Sequence, residues 1–189
     1  QQKIIDLFKD NELISRSDLV KISSSSLKTL LKNGVLIEEK HEHYRMQYTF
    51  GDSSKKELTK DQENAFLSVD LNSYSTYLLH GVTGSGKTEV YIKLIEKVLS
   101  MGKTAIVLVP EISLTPQMVN RFSGVFGNKI AALHSALSDG EKYDEWRRIH
   151  RGEVSIVIGA RSACFAPLTN LGIIIIDEEH SDSYKQDNN

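Results

Sequence analysis

One octapeptide does most to limit what this chain can fold into. Gly81-Val82-Thr83-Gly84-Ser85-Gly86-Lys87-Thr88 fits GxxxxGK followed by Ser or Thr. It stands between the apolar Tyr77-Leu78-Leu79 and a stretch in which Val90, Tyr91, Leu94, Ile95, Val98 and Leu99 recur at helical spacing. Strand before and helix after is the setting in which this pattern is a phosphate-binding loop. Glycines let backbone N–H groups wrap phosphate oxygens, and the start of a helix adds the positive end of its dipole. The lysine then reaches the β- and γ-phosphates and the hydroxyl ligates Mg²⁺. Gly81, Thr83, Gly84, Ser85, Gly86, Lys87 and Thr88 are therefore candidate nucleotide-binding residues, with Lys87 also a candidate catalytic cation and Thr88 a candidate metal ligand.

Around the loop the patterning alternates. Helical spacing predicts helices near Asp61 to Ser68, Lys87 to Ser100, Pro116 to Phe122 and Asp139 to His150. Short apolar runs predict strands at Tyr77 to His80, Thr104 to Val109, Ile130 to Leu133, Val154 to Ile158 and Ile173 to Ile176. Such alternation predicts an α/β fold on a mostly parallel sheet. Thr115 before Pro116 marks a helix start with proline at its first position, and Ser138 with Glu141 forms a capping box.

The first fifty residues read differently. Ile4, Ile5, Leu7 and Phe8 form one apolar group, Leu19, Val20 and Ile22 a second, and Leu27, Leu30 and Leu31 a third, which Gly34 ends. Tyr44, Met46, Tyr48 and Phe50 then alternate with polar residues. Three helices and a hairpin predict a winged-helix domain over 1–50. The small, polar residues 51–60 have linker composition, leaving 61–189 for the α/β domain. Segment 1–50 holds eight Lys/Arg and seven Asp/Glu, a net of +1, weak for a duplex reader. DNA contact through Lys28, Lys32 and Arg45 and a purely structural or docking role both stay open for it.

The chain as a whole has 23 Lys+Arg against 25 Asp+Glu over 189 residues. Nucleic-acid binding would rest on local groups, not on bulk charge. The longest apolar run, Ala105 to Val109, is five residues, far short of the roughly 20 that cross a bilayer, and the charged opening is no signal peptide. A soluble, cytoplasmic protein without a membrane partner is expected. The one cysteine, Cys164, excludes an internal disulfide and a multi-cysteine zinc site.

Ile173-Ile174-Ile175-Ile176 runs into Asp177-Glu178-Glu179-His180, a buried strand delivering carboxylates to its C-terminal end, where ligands bind in open α/β sheets. Asp177 can hold Mg²⁺ and Glu178 can polarise the attacking water, which makes both candidate catalytic residues. Glu179 reads as a solvated carboxylate. His180 reads equally as a coupling residue and as a cap on the strand end.

The phosphate loop and this acidic tetrad together resemble the first RecA-like lobe of superfamily 2 helicases. Further segments narrow the resemblance: Val109-Pro110-Glu111-Ile112-Ser113-Leu114-Thr115-Pro116-Gln117, Leu133-His134-Ser135, Ile158-Gly159-Ala160-Arg161-Ser162-Ala163, Phe165-Ala166-Pro167-Leu168 and Ser183-Tyr184-Lys185-Gln186. From about Leu58 to its end the chain is similar to the PriA (primosomal protein N′) family of replication-restart DNA helicases. The resemblance implies an ATP- and Mg²⁺-dependent motor moving 3′ to 5′ along single-stranded DNA at stalled forks, with primosome and single-stranded DNA-binding proteins as partners, and a monomer. It implies a winged helix ahead of the motor. Gln62 matches an adenine-reading glutamine, although Thr59 and Gln62 also make a capping box. Gly159, Arg161 and Ser162 match residues that touch the DNA backbone, and Pro110 and Glu111 belong to another DNA-facing loop. Ala160 stands where many relatives have threonine. Trp146 reads more readily as core than as a base-stacking platform and stays unassigned.

The family's second lobe with its arginine finger, its zinc-binding cysteines and its 3′-end-binding domain have no counterpart here. The chain therefore reads as a piece of a longer protein, cut after the acidic tetrad and nearly inactive alone, with zinc expected only outside it. Two other readings stay open: a double-stranded DNA translocase motor, and a winged-helix module whose phosphate loop is a nucleotide-gated switch.

Overall fold

The computed structural model describes residues 1–9, 11–39, 44–46 and 56–185, and the chain divides into two units, Gln1–His43 and Tyr44–Asn189. In the first unit α1 spans Gln2–Leu7 and α2 spans Arg16–Lys32. The Ser15 side chain accepts the Asp18 N–H at the start of α2, satisfying a donor the helix itself cannot. At Ser23 the backbone is extended, with φ −168° and ψ 106°, so α2 is two helices in succession. The three apolar groups of the sequence are thus three helical pieces, and Ile4, Leu19, Leu27 and Leu30 from all three form a small buried core. Gly34 follows at φ 68°, a left-handed turn that suits a residue without a Cβ. Residues 47–50 of the expected hairpin and 51–55 of the expected linker lie outside the described residues.

Tyr44 and Arg45 group with the second unit. Their partners explain why. The Tyr44 hydroxyl donates to Glu153 at 2.8 Å, and Arg45 gives Asp144 both its backbone N–H at 3.1 Å and a guanidinium N–H at 2.7 Å. Asp144 is buried, and a buried carboxylate needs such partners.

This contact has a pH signature. Burial pushes the Asp144 carboxyl up, but the Arg45 N–H and guanidinium, helped by Arg147, outweigh it and hold the group below its ordinary range. A depressed pKa contributes stability above the ordinary carboxylate range, lost as pH falls through the folded-state value. Thermal melts from near neutrality into the acid range should show Asp144→Asn losing less stability than the wild type. Parallel pH profiles would mean the bond does not form in solution.

In the second unit α3 spans Lys60–Leu67, α4 Lys87–Ser100, β1 Thr104–Leu108, α5 Pro116–Phe126, β2 Ile130–Leu133, α6 Asp139–His150, β3 Ile156–Gly159 and β4 Leu171–Ile176. Thr115 caps α5 and the Ser138–Glu141 box caps α6. The strands are all parallel in the order β2-β3-β1-β4. On one face Val107, Ile158 and Ile175 meet Tyr91 and Ile95 of α4 and Phe122 of α5. On the other, Ile106, Leu108 and Val157 meet Ile149 of α6. Helices on both faces are why β1, β2 and β3 read as unbroken apolar runs; β4, expected as a buried strand, lies at the sheet edge with Ile175 buried and Ile174 and Ile176 exposed.

Tyr77 to His80, expected as a strand, pairs with none of the four. An apolar run becomes a strand only where a neighbour supplies ladder partners, and the outer edge of β4 is unpaired among the described residues. Leu79 packs against the core from an irregular segment while Leu78 faces solvent. No helix among the described residues is long and apolar enough to cross a membrane.

Candidate functional site

The chain enters α4 through Gly86, its N-cap, at φ 81°, a left-handed backbone that a Cβ would strain. The loop is crowded as well as twisted: a Cβ on Gly81 would stand 2.8 Å from Ser85 Oγ, and one on Gly86 would run into the Gln62 amide. Lys87, the first residue of α4, donates from Nζ to the carbonyls of Gly81 at 2.8 Å and Val82 at 3.2 Å. The ammonium thus lies over its own loop on two neutral acceptors, weaker partners than a phosphate. Thr83, Gly84 and Ser85 are exposed along the loop, and Thr88 is half-buried at its end.

Gln62 reaches the loop from α3. Its Oε1 accepts the Thr59 N–H at 2.9 Å, closing the capping box, and its Nε2 donates to the Ser85 carbonyl at 3.0 Å. The capping box is formed, and the same amide holds the phosphate loop.

Asp177 follows β4, and its N–H donates to the Leu108 carbonyl at 2.8 Å, extending the β1–β4 ladder by one step. Its Oδ1 accepts the Tyr91 hydroxyl at 3.0 Å, and its backbone carbonyl accepts the Tyr184 hydroxyl at 2.9 Å. Tyr91 sits one turn along α4 from Lys87, so one hydrogen bond joins the phosphate-loop helix to the acidic strand end. Burial, then the charges of Asp177, Glu179 and Glu178, hold the Tyr91 phenol protonated far above its ordinary range. Burial and then Asp177 and Glu178 do the same to Tyr184. Both hydroxyls remain donors at any physiological pH.

Glu178 is exposed, at φ 49°, and its Oε2 accepts the Ser113 hydroxyl at 3.4 Å. A non-glycine residue in the left-handed region is strained, and such strain clusters at functional sites. Glu179 and His180 are exposed beside each other, Oε2 to Nδ1 3.7 Å. The Thr88 hydroxyl and the Asp177 carboxylate are hard oxygen donors of the kind Mg²⁺ selects, and the tight glycine loop suits close backbone approach to phosphate. The residues present fit a magnesium nucleotide.

A cleft of about 570 Å³ lies at the far ends of β2 and β3, lined by Glu111, His134, Lys142, Trp146, Arg161 and Phe165 among others. Arg161 opens the 3-10 turn Arg161–Phe165 and donates to the Lys185 carbonyl at 2.7 Å. Ser162 lines the same cleft. Pro110 and Gly159 are both buried. The Pro110 carbonyl accepts the Ser113 and Leu114 N–H groups at 2.8 and 3.1 Å, and a Cβ on Gly159 would stand 2.7 Å from that of Ala163. Both shape the turns behind the cleft. Glu111 is exposed at it, and as a carboxylate it can accept from base amino groups but repels phosphate. Trp146 is 44% exposed there and is not core. Tyr91 escaped the sequence reading, where it counted only as an apolar helix position. A buried tyrosine hydroxyl needs a partner, which was the available signal.

The comparisons with known proteins bear on this geometry directly. The chain is 57% identical over 183 residues to the Replication restart protein PriA of Bacillus subtilis, covering 93% of this chain and 22% of that protein. It is 49% identical over 176 residues to that of Synechocystis, covering 90% and 21%, and 52% identical over 130 residues to that of Haemophilus influenzae, covering 68% and 18%. It spans about a fifth of the length of these curated relatives. Residues 59–188 match the DEAD/DEAH box helicase family, a stretch that holds the phosphate loop, the acidic tetrad and the cleft, and the chain belongs to that family.

Proposed function

We propose that this chain is the ATP-binding lobe of a 3′–5′ DNA helicase that acts in replication restart at stalled forks, with a winged-helix domain over 1–50 and a linker over 51–60 ahead of it. Single-stranded and forked DNA would be its substrate, and primosome and single-stranded DNA-binding proteins its partners. What supports this most is the 3.0 Å bond from Tyr91 to Asp177, since it brings the phosphate-loop helix and the acidic strand end to one site.

In this reading the backbone N–H groups of the loop and the Lys87 ammonium bind the phosphates of ATP. Thr88 and Asp177 would hold Mg²⁺, which when bound draws off negative charge from the β- and γ-phosphate oxygens. Glu178 orients the attacking water and accepts its proton. Gln62 keeps one lone pair on Oε1 beyond its present bonds, able to accept from the adenine amino group, while its Nε2 contacts the Ser85 and Gly86 carbonyls of the loop. Arg161 and Ser162 offer a guanidinium and a hydroxyl to the DNA backbone.

A fluorescence-anisotropy titration tests the reading and its rivals together. Single-stranded DNA should bind more tightly than duplex, and Arg161→Ala should weaken binding about equally across sequences and lower its salt slope by about one phosphate contact. A preference for duplex would favour the double-stranded translocase. Unchanged affinity and slope would leave Arg161 as the surface strut it makes with Lys185.

A further inference from the structure

We propose that Tyr91 is a positioning residue for the metal-holding carboxylate of Asp177. The proposal rests on the reading of Asp177 given above and deepens it. Tyr91 is almost fully buried, at 7% exposure, within the core that α4 shares with the sheet, and its hydroxyl donates to Asp177 Oδ1 at 3.0 Å. That bond fixes the carboxylate's rotation and leaves Oδ2 for a metal ion or a metal-bound water. Tyr91 stands three residues beyond Thr88 on the same helix, and residues three apart share a helix face. One face of α4 therefore presents a candidate metal ligand and the group that aims the other ligand.

Tyr184 complements this from the opposite side by donating to the Asp177 backbone carbonyl at 2.9 Å. The main chain is held by one tyrosine and the side chain by another. Only the Tyr91 contact acts on the oxygens that a metal would use. Outer-shell partners of this kind commonly change metal affinity about 10- to 100-fold when removed.

Tyr91→Phe removes the hydroxyl and keeps the ring in its core site. The test is the Mg²⁺ concentration giving half-maximal binding of a fluorescent ATP analogue to the 189-residue chain, with nucleotide binding in chelator and thermal melting measured beside it. Tyr91→Phe should raise the half-saturating Mg²⁺ about tenfold, leave binding in chelator unchanged, and barely move the melt. Mn²⁺ in place of Mg²⁺, read by the paramagnetic signal of the bound ion, should report the same shift without any turnover. Asp177→Asn separates the two layers of the argument. If it shifts the Mg²⁺ dependence and Tyr91→Phe does not, the positioning role is overturned while the reading of Asp177 stands. If Asp177→Asn has no effect, both fall. Equal losses with and without Mg²⁺ in Tyr91→Phe would make the tyrosine merely structural and overturn the proposal.

Discussion

Lys87→Ala is expected to weaken binding of a fluorescent ATP analogue by about 10- to 100-fold while leaving the melting curve almost unchanged. The first half follows from charge: a hydrogen bond between an ammonium and a phosphate contributes about 1.5–3 kcal/mol, which is the stated range in affinity. The second half follows from what the lysine touches. Its Nζ meets only the Gly81 and Val82 carbonyls of its own loop, at 2.8 and 3.2 Å, and it joins none of the buried clusters. Truncation at such a site usually stays within about 0.5 kcal/mol of neutral. Titration and differential scanning fluorimetry on the same preparation decide the matter. Undiminished affinity would remove Lys87 from the phosphate site, and a large fall in melting temperature would make it a structural residue.

How much of this could be read from the sequence depended on whether the signal was local. Helices α4 and α6 begin and end where the periodicity and the caps put them, because Gly86, Ser138 and Glu141 act within a turn of the residues they organise. The run Ser23 to Ser26 separates two apolar groups, and the helix breaks at Ser23; serine side chains compete for backbone partners, which makes such a run a natural break. Pairing across the fold was not legible. Tyr77 to His80 has strand composition and no strand neighbour. The partner that draws Arg45 into the second unit is Asp144, 99 residues away, and nothing in local pattern links the two. At the site, motif spacing pointed to Lys87, Thr88, Asp177 and Glu178, but it gave no sign of the Tyr91–Asp177 bond, which joins residues 86 apart.

Arg148→Ala is expected to destabilise the second unit by about 3–5 kcal/mol, lowering its melting midpoint by roughly 10 °C. In sequence Glu145 and Arg148 are two more charges on a polar helix. In the fold both are buried, with the Glu145 side chain at 0% and that of Arg148 at 9% exposure. Arg148 donates to Glu145 at 2.8 and 3.1 Å and to the carbonyls of Asn128 and Ile130 at 3.1 and 3.3 Å. It thereby fastens α6 to the start of β2. Removing it takes a charged, twice hydrogen-bonded partner from a buried carboxylate, and the penalty for breaking such a pair exceeds what it contributes when intact. The double variant Glu145→Leu with Arg148→Met should therefore recover most of the loss, since an apolar pair of similar size has no charge to desolvate. Lys93→Ala supplies the contrast: its bond to Glu96 is a half-buried pair three residues apart on one helix, and such a pair is worth about 0.5 kcal/mol or less. Trp146, the one tryptophan in the chain, lies on α6 and reports unfolding of this unit by its fluorescence. A loss below about 1 kcal/mol in Arg148→Ala, or a double variant no more stable than the single, would show that the α6–β2 junction does not depend on this ion pair.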